Sequence, residues 1–468
     1  MTSQGIHFGT SGWRGVIADD FNFSGVRRAA AAIAGHVRSH RKSPAILVAH
    51  DTRFFSEEFA RTCAHVLFAK GCRVSICRQP TPTPTVAHAI LHGKFDGGIN
   101  VTASHNPYSY NGLKFSGPEG GPAMPDVTKD IEQRAGALND EPFRLEEIHE
   151  TFDVLDPREP YFAQLEGLVR FDVLTKAKGS FVFDAVHGCG AGWLDALLVK
   201  HGVKVSSIRT QRDVLFEGSG PDPSEENLAE LKRAVVANNA LAGLATDGDA
   251  DRFGILDRDG SFISPNQILA LVFDYLLETR GVKLGACRSI ATSHLLDAVA
   301  KYHGVKVYET PVGFKYIGPR LRADEILLGG EESAGMTIRG HVPEKDGILA
   351  CLLVAEMIAA RQASLMDQLR DLFRRTGVEC WPIRVNLHVT EEVQSKMPAL
   401  LKRDPGQFAG RKVARADRTD GLKLVLEDGA WVLMRPSGTE PVVRVYAEAR
   451  SLTESKSLSE EARAWIGA

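Results

Sequence analysis

Apolar positions along this chain follow two rhythms. Short β-branched runs of about five residues alternate with longer stretches of helical periodicity, a pattern that predicts α/β architecture. Residues 25–41 predict a helix and 45–49 a strand; a further strand at 97–101 runs directly into a polar loop. The acid-rich stretch 126–156 predicts a helical linker. A second unit opens with a strand at 180–184 and closes with one at 241–245, which feeds an acidic loop. A tight turn at Asp259-Gly260 marks the next boundary, before a helix at 266–280 and an end near Thr376-Gly377. From about Glu379 the rhythm changes to alternating strands, at 421–426 and 430–434, followed by a final helix at 454–466. That part predicts an antiparallel sheet with helices on one face. The expected divisions are 1–150, 151–258, 259–377 and 378–468.

Length supports this division, because 468 residues exceed what one core organises. A formal net charge of -3 excludes a general nucleic-acid binder but allows a local basic pocket for a small anion. The N-terminus lacks a basic region followed by an apolar run, so no secretory signal is expected. The most apolar stretch, 348–360, is interrupted by Glu356 and too short to span a bilayer, so it predicts a buried helix and no membrane. Seven scattered cysteines, odd in number and without metal-ligand spacing, predict reduced thiols in a cytoplasmic protein.

Candidate chemistry sits on the loops. Thr102-Ala103-Ser104-His105-Asn106-Pro107 presents a serine hydroxyl just past a strand, fit either for covalent catalysis or for capping a helix. Asn111-Gly112-Leu113-Lys114 adds a turn and a cation. Asp247-Gly248-Asp249-Ala250-Asp251-Arg252 places carboxylates at alternate positions, able to converge on one hard cation. An EF-hand would need glycine where Arg252 stands and glutamate where Arg258 stands, so that reading fails. Mg²⁺ fits this loop best, against a merely solvated acidic turn. Gly329-Gly330-Glu331-Glu332-Ser333-Ala334-Gly335 is an acidic turn or, if extended, a pair of acceptors at Glu331 and Ser333 pointing one way. Thr310-Pro311-Val312-Gly313-Phe314-Lys315 and His341-Val342-Pro343-Glu344-Lys345-Asp346-Gly347 supply further polar loops. Arg435-Pro436-Ser437-Gly438-Thr439-Glu440-Pro441, ahead of Arg444, is a phosphate cradle or a hydroxyl-rich hairpin. Phe8-Gly9-Thr10-Ser11-Gly12-Trp13-Arg14-Gly15 is a glycine-rich turn presenting Arg14. The run Gly188-Cys189-Gly190-Ala191-Gly192 lacks the spacing of a dinucleotide loop.

In this order, and over essentially the whole chain, the serine motif, acidic triplet, Gly-Glu-Glu-Ser segment and Arg-Pro-Ser-Gly-Thr-Glu-Pro loop resemble the α-D-phosphohexomutase family. The resemblance implies a heart-shaped α/β protein of four domains, three similar mixed-sheet units and a C-terminal α+β domain resembling the TATA-box-binding-protein-like fold. It implies a phosphoryl group on Ser104 and Mg²⁺ held by Ser104, Asp247, Asp249 and Asp251. Hexose 1-phosphate and hexose 6-phosphate would interconvert through a 1,6-bisphosphate, with glucose 1,6-bisphosphate as activator. Arg14, Lys114 and His105 are then expected at the transfer site. Glu331 and Ser333 are expected on sugar hydroxyls O3 and O4. Arg435, Ser437, Gly438, Thr439 and Arg444 would grip the phosphate that is not transferred. Arg252, Gly313, Lys315, His341 and Lys345 are expected as further substrate contacts. Met336 stands where some relatives place a histidine.

Substrate choice is narrowed only in part. The Gly-Glu-Glu-Ser segment departs from the Gly-Glu-Gln-Ser of the glucosamine-specific branch, and the loops at 310–315 and 344–347 look most like glucose or glucose/mannose mutases. Glucose and mannose differ at C2, which neither Glu331 nor Ser333 would sense. The partners implied are small hexose phosphates, bound by a monomer or homodimer. Two other functions are weighed: a metal-dependent sugar-phosphate phosphatase, which leaves the serine loop and C-terminal cradle without a task, and a non-catalytic sugar-phosphate sensor.

Overall fold

The protein is described from a computed structural model that covers residues 5–9, 12–138, 152–437 and 442–467. Its contacts divide it into two compact units. One comprises Met1–Pro265, Gly318–Asp324 and Ser333–Met366; the other comprises Asn266–Ile317, Glu325–Glu332 and Asp367–Ala468.

The first unit contains two sheets. One has the strand order Trp13–Val16, Tyr110–Ser116, Gly97–Val101, Ala45–His50, Arg73–Cys77 and Asp153–Leu155. Its last four strands are parallel, and the first two are antiparallel to their neighbours. Parallel strands are covered on both faces and read as continuous apolar runs. Here Ile46 and Val48 face a core shared with helices Phe23–His40 and Ser56–Ala69, while Leu47 and Ala49 face Val86 and Ile90 of Thr83–Gly93. The helix predicted at 25–41 begins earlier because the Asn22 side chain accepts from Gly25 N at 2.9 Å and caps it. Of the predicted acidic linker, Pro125–Ala137 is helical and Asp153–Leu155 is a strand; 139–151 lie outside the described residues.

The other sheet runs Phe262–Ile263, Phe253–Asp257, Ala242–Thr246, Phe181–Asp184 and Val205–Ile208. Ala242–Thr246 and Phe253–Asp257 are antiparallel neighbours, so the acidic loop between them is pinned at both ends. Against these two strands packs Gly347–Arg361, the apolar stretch predicted as a buried helix and buried along nearly its whole length. Among the described residues no single helix is long and apolar enough to cross a membrane. Asp346 caps this helix by accepting from Leu349 N (2.9 Å), and its other carboxylate oxygen meets Tyr161 Oη and His341 Nε2, both at 2.7 Å.

In the second unit, Val307–Thr310, Gly285–Ser289 and Ile326–Glu331 form parallel pairs. A six-stranded antiparallel sheet follows, in the order Trp381–His388, Val442–Ala449, Trp431–Pro436, Leu422–Leu426, Arg411–Asp417 and Gln407–Phe408. Leu458, Ala462 and Ile466 of helix Leu452–Ile466 pack on one face of it with Val432, Met434 and Val445. On the opposite face Trp431, Leu433 and Tyr446 join Ile290 and Ala291. The chain therefore has the mixed α/β sheets and antiparallel C-terminal sheet that its resemblance implied. All seven cysteines are buried and free, as expected for reduced thiols.

Burial makes His88 of the first unit acid-sensitive. His88 is stacked on His92 (ring centroids 4.2 Å apart) beside Tyr161. Burial, then His92 and His341, lower its pKa from 6.5 to about 4, opposed by Asp346. The unfolded chain thus binds the proton more readily, so His88 removes stability as pH falls from about 6.5 towards about 4. Its contribution to the slope of unfolding free energy approaches about 1.4 kcal/mol per pH unit. Urea unfolding across that range should show a shallower acid slope for His88→Gln than for the parent.

Candidate active site

Ser104 sits where the chain leaves Gly97–Val101 and before it returns as Tyr110–Ser116. The next element is a strand, so Ser104 does not cap a helix, and the capping alternative falls away. Its φ of 54° lies in the left-handed region, which is uncommon for a non-glycine residue. Ser104 N donates to Thr102 Oγ1 (2.9 Å), and Asn106 N to the Ala103 carbonyl (3.1 Å). This bend aims the hydroxyl at the acidic loop, where Ser104 Oγ donates to Asp247 Oδ2 at 2.7 Å. His105 Nδ1 stands 3.5 Å from the same serine oxygen. Burial, then Arg252 and Arg14, hold the His105 imidazole neutral, well below its ordinary pKa.

Asp247, Asp249 and Asp251 are fully or almost fully buried, and each places a carboxylate oxygen within 4.8 Å of the others. Like charges that close repel by roughly 3 kcal/mol per pair at an effective dielectric of about 20, so they persist only beside cations. Lys114 Nζ supplies one, reaching Asp249 Oδ2 at 2.5 Å and Asp251 Oδ2 at 2.7 Å; Lys345 Nζ is 3.1 Å from Asp251 Oδ2. Burial opposes the Lys114 charge, but Asp249 and Asp251 outweigh it and raise the pKa. Burial likewise opposes the Asp251 charge, yet Lys114, Lys345 and Arg252 hold its pKa low. Asp247 lacks such close partners: burial, then Asp249 and Asp251, raise its pKa well above the usual range.

These residues fit a small hard cation. Three convergent carboxylates are the donor set Mg²⁺ takes. Oδ1 of Asp249 and Oδ1 of Asp251 are buried without a hydrogen-bond partner, an expensive state that a metal ion relieves.

Three supports of this centre were not read from the sequence. Thr83 donates to Asp249 Oδ2 and itself accepts from Asn100 Nδ2 (2.9 Å), which fixes the middle carboxylate. Gly248 lies so near the serine loop that a Cβ there would stand 2.6 Å from the Ser104 carbonyl oxygen. Gly188 lies as close on the other side, 2.8 Å from the Asp247 carbonyl oxygen by the same measure, so part of the run that failed as a dinucleotide loop makes room for the acidic loop.

Other predicted residues of this unit fall around the same centre or behind it. Arg14 Nη1 donates to Asn106 Oδ1 at 2.6 Å, and Arg14 pairs across the sheet with Gly112. Burial, then Arg252, lower the Arg14 pKa to about 10, opposed by Asp249 and Asp251. Arg252 N donates to Asp247 Oδ1 at 3.0 Å. Gly335 leaves room for the Lys345 side chain, which a Cβ would strike. The His341 ring is fully buried against Asp346, where it supports the cap of the Gly347–Arg361 helix. The extended geometry considered for Glu331 and Ser333 does not form: the strand ends at Glu331, and 332–334 are a turn.

In the second unit, Glu331 Oε1 accepts from Gly313 N at 2.7 Å, tying together two predicted loops. Burial lowers the Lys315 pKa. Arg435 and Arg444 are direct cross-strand partners, and Arg384 lies on the same face, opposite Tyr446. Like charges directly opposite destabilise a sheet unless an anion joins them. Asp420 supplies part of that charge by accepting from Arg435 Nε at 2.8 Å, while its other oxygen accepts from Val312 N at 3.0 Å. Arg384 and Asp420 carry no local motif and were missed. Ser437 is buried and donates its backbone N–H to the Val442 carbonyl at 2.8 Å; Gly438 and Thr439 lie outside the described residues.

A serine hydroxyl aimed at a buried carboxylate triplet with lysines beside it, on a mixed α/β scaffold, is an arrangement that phosphoryl-transfer chemistry can use. Comparison with known families agrees in all parts of the chain. The phosphoglucomutase/phosphomannomutase α/β/α domains I, II and III match residues 5–141, 159–260 and 264–376, and the family's C-terminal domain matches 385–464. The chain belongs to the phosphoglucomutase/phosphomannomutase family, the α-D-phosphohexomutases. It is 32% identical to a phosphoglucomutase/phosphomannomutase of Thermococcus kodakarensis, over 96% of this chain and 95% of the relative. It is also 30% identical to a protein of Methanopyrus kandleri named as a phosphoglucosamine mutase, over 98% and 97%. A solved structure from Thermus thermophilus, assigned as a phosphomannomutase, superposes with a TM-score of 0.88 at 34% identity and covers 100% of both chains.

The close approach of the two loops is testable without substrate. Gly248→Ala should lower the unfolding free energy by about 1–3 kcal/mol in urea titration. Gly136→Ala, at a helical site where the added Cβ meets nothing within 4 Å apart from its own helix backbone and chain neighbours, should be neutral or stabilising.

Proposed function

We propose that this phosphohexomutase interconverts the 1-phosphates and 6-phosphates of glucose, and of mannose as a second sugar, through a phosphoserine at Ser104. The observation that carries the reading is the 2.7 Å hydrogen bond from Ser104 Oγ to Asp247 Oδ2, within a buried triplet of carboxylates. It supports the reading because a phosphoryl group on that oxygen would lie beside the nearby lysines and any metal ion on the carboxylates, whose positive charge would neutralise it.

In the proposed reaction the bond between Ser104 Oγ and phosphorus breaks as a sugar hydroxyl oxygen bonds to phosphorus. The sugar loses its hydroxyl proton, Ser104 regains one, and the product is a hexose 1,6-bisphosphate. After that intermediate turns over, Ser104 Oγ takes the other phosphoryl group, so the net change moves phosphate between O1 and O6. Mg²⁺, held by Asp247, Asp249, Asp251 and the phosphoserine, would supply charge neutralisation at the transferring group. Arg14 stabilises the oxygens of that group, and Lys114 does so while keeping Asp249 and Asp251 in place. His105, neutral and 3.5 Å from Ser104 Oγ, fits a proton relay.

Arg252 and Lys345 add positive charge for the phosphates. Glu331 and Ser333 are assigned to sugar O3 and O4, with Gly313 and Lys315 beside Glu331. Arg435, Ser437, Gly438, Thr439 and Arg444 are assigned to the phosphate that stays. His341 serves through Asp346 and makes no ligand contact in this scheme. The boundaries 1–150, 151–258, 259–377 and 378–468 then give each domain one loop of the reaction.

Turnover of glucose 1-phosphate and mannose 1-phosphate should be measured with Mg²⁺ and a trace of glucose 1,6-bisphosphate. Ser104→Ala should lower mutase turnover by at least about 1,000-fold. Release of free phosphate, or activity untouched by Ser104→Ala, would instead identify a phosphatase. Glucosamine 1-phosphate belongs in the same assay, because relatives named for that sugar align over 95% and 98% of the chain. Faster turnover of it than of glucose 1-phosphate would overturn the sugar assignment. Asp249→Ala should weaken Mg²⁺ binding by at least about tenfold in calorimetric titration.

A further inference from the structure

Arg53 is a wholly buried cation outside the reaction just described. Its guanidinium donates to four backbone carbonyls of the serine loop. Nη2 reaches the oxygens of Ser104 and Asn106, both at 2.6 Å, and Nη1 those of Pro107 (2.9 Å) and Tyr110 (3.0 Å). Asp51 Oδ2 lies 3.2 Å from Nε and supplies the counter-charge. The other Asp51 oxygen accepts from Arg53 N (2.9 Å) and Ser56 Oγ (2.6 Å), so the carboxylate is itself fixed. Phe216 covers the guanidinium at 5.2 Å, and Arg212 holds the backbone beneath it by donating to the carbonyls of Thr52 (2.9 Å) and Arg53 (3.2 Å).

Burying a cation so completely is costly unless its donors are used. The serine loop repays that cost because its own turn points four carbonyls inward; that of Pro107 also accepts from Tyr110 N (3.0 Å), and a buried carbonyl left unpaired is costly. Only a planar fork meets four acceptors spread in this way; an ammonium offers three donors from a single atom. One of the four is the carbonyl of Ser104 itself, the residue with the left-handed φ. Fixing that carbonyl fixes the rotation of the residue, and with it the direction of Oγ towards Asp247.

We infer that Arg53 is a positioning residue for phosphoryl transfer, a buried clamp that sets the backbone of the serine loop so that Ser104 Oγ faces the aspartate triplet. The inference rests on the proposed function of Ser104 for its kinetic consequence, though not for its geometry. The Arg53 side chain bonds the loop's carbonyls and Asp51, not Ser104 Oγ or the carboxylate triplet, so it acts through the loop.

Arg53→Lys tests the clamp through two readouts, kinetics per folded molecule and amide hydrogen exchange over residues 102–111. The expected result is a kcat at least about 100-fold lower with KM within about threefold of the parent, together with faster exchange confined to that loop. A residue that only contributed to stability would lower the folded fraction and leave kcat per folded molecule unchanged. That outcome, or unaltered exchange in the loop, overturns the inference. Should Arg53→Lys fail to fold, Arg212→Met loosens the same clamp from behind, and about a three- to tenfold fall in kcat at constant KM is then expected. An unchanged kcat in that variant counts against the clamp. The exchange measurement reads the clamp even if the parent turns over no hexose phosphate, an outcome that removes the reading of Ser104 alone.

Discussion

Three buried carboxylates within 4.8 Å of one another are the constraint on which the catalytic half of this protein is built. Such a cluster folds only with positive charge beside it, and the chain supplies that charge from distant segments. Lys114 comes from the strand after the serine loop, Arg252 from the acidic loop itself, and Lys345 from the turn before a buried helix. The Asp346 cap of that helix holds Lys345 in register, since Asp346 N donates to the Met336 carbonyl and Gly347 N to that of Ala250. The compensation is uneven. Asp251 is held charged by two lysines, whereas Asp247 faces chiefly the serine hydroxyl and its own carboxylate neighbours.

That imbalance gives the centre its chemical direction. Negative charge is neutralised on the side of Lys114 and Lys345, while burial, and then the nearby Arg252, lower the Arg14 pKa. A phosphoryl group entering beside Ser104 would bring anionic oxygens to the arginines, and a divalent ion would join the carboxylates whose Oδ1 atoms lack hydrogen-bond partners. The same logic recurs in the second unit, where Arg435 and Arg444 face each other across two strands and Asp420 offsets only part of their charge. In both places the buried or paired charges are only partly offset by the neighbouring side chains.

Steric fit supports the electrostatics. The serine loop and the acidic loop approach so closely that Gly248 admits no side chain against the Ser104 carbonyl, and Gly188 presses the acidic loop from behind. Behind the serine loop, Arg53 replaces the hydrogen bonds that a left-handed turn cannot make for itself. The serine loop and the acidic loop are irregular, yet each is tied to strand ends and to buried side chains.

The sequence by itself determined the local elements and the inventory of chemistry. The short runs at 45–49 and 97–101 announced strands, and their alternation with helical stretches announced α/β architecture. The alternate aspartates at 247, 249 and 251 announced a cation site, since spacing along the chain already brings like charges together. Family resemblance then assigned the serine loop and the arginine loop. Periodicity missed element ends by a residue or two at Asn22 and Ser451, where a side-chain cap rather than the apolar pattern sets the start. What tertiary structure alone decided was everything that joins distant segments. Thr83 and Asn100 under Asp249, Arg53 beneath the serine loop, Asp420 against Arg435 and the inward turn of His341 leave no local signature. The physical reason is that a hydrogen bond or ion pair between residues far apart in the chain depends on where the fold puts two side chains, and no short stretch of sequence records that.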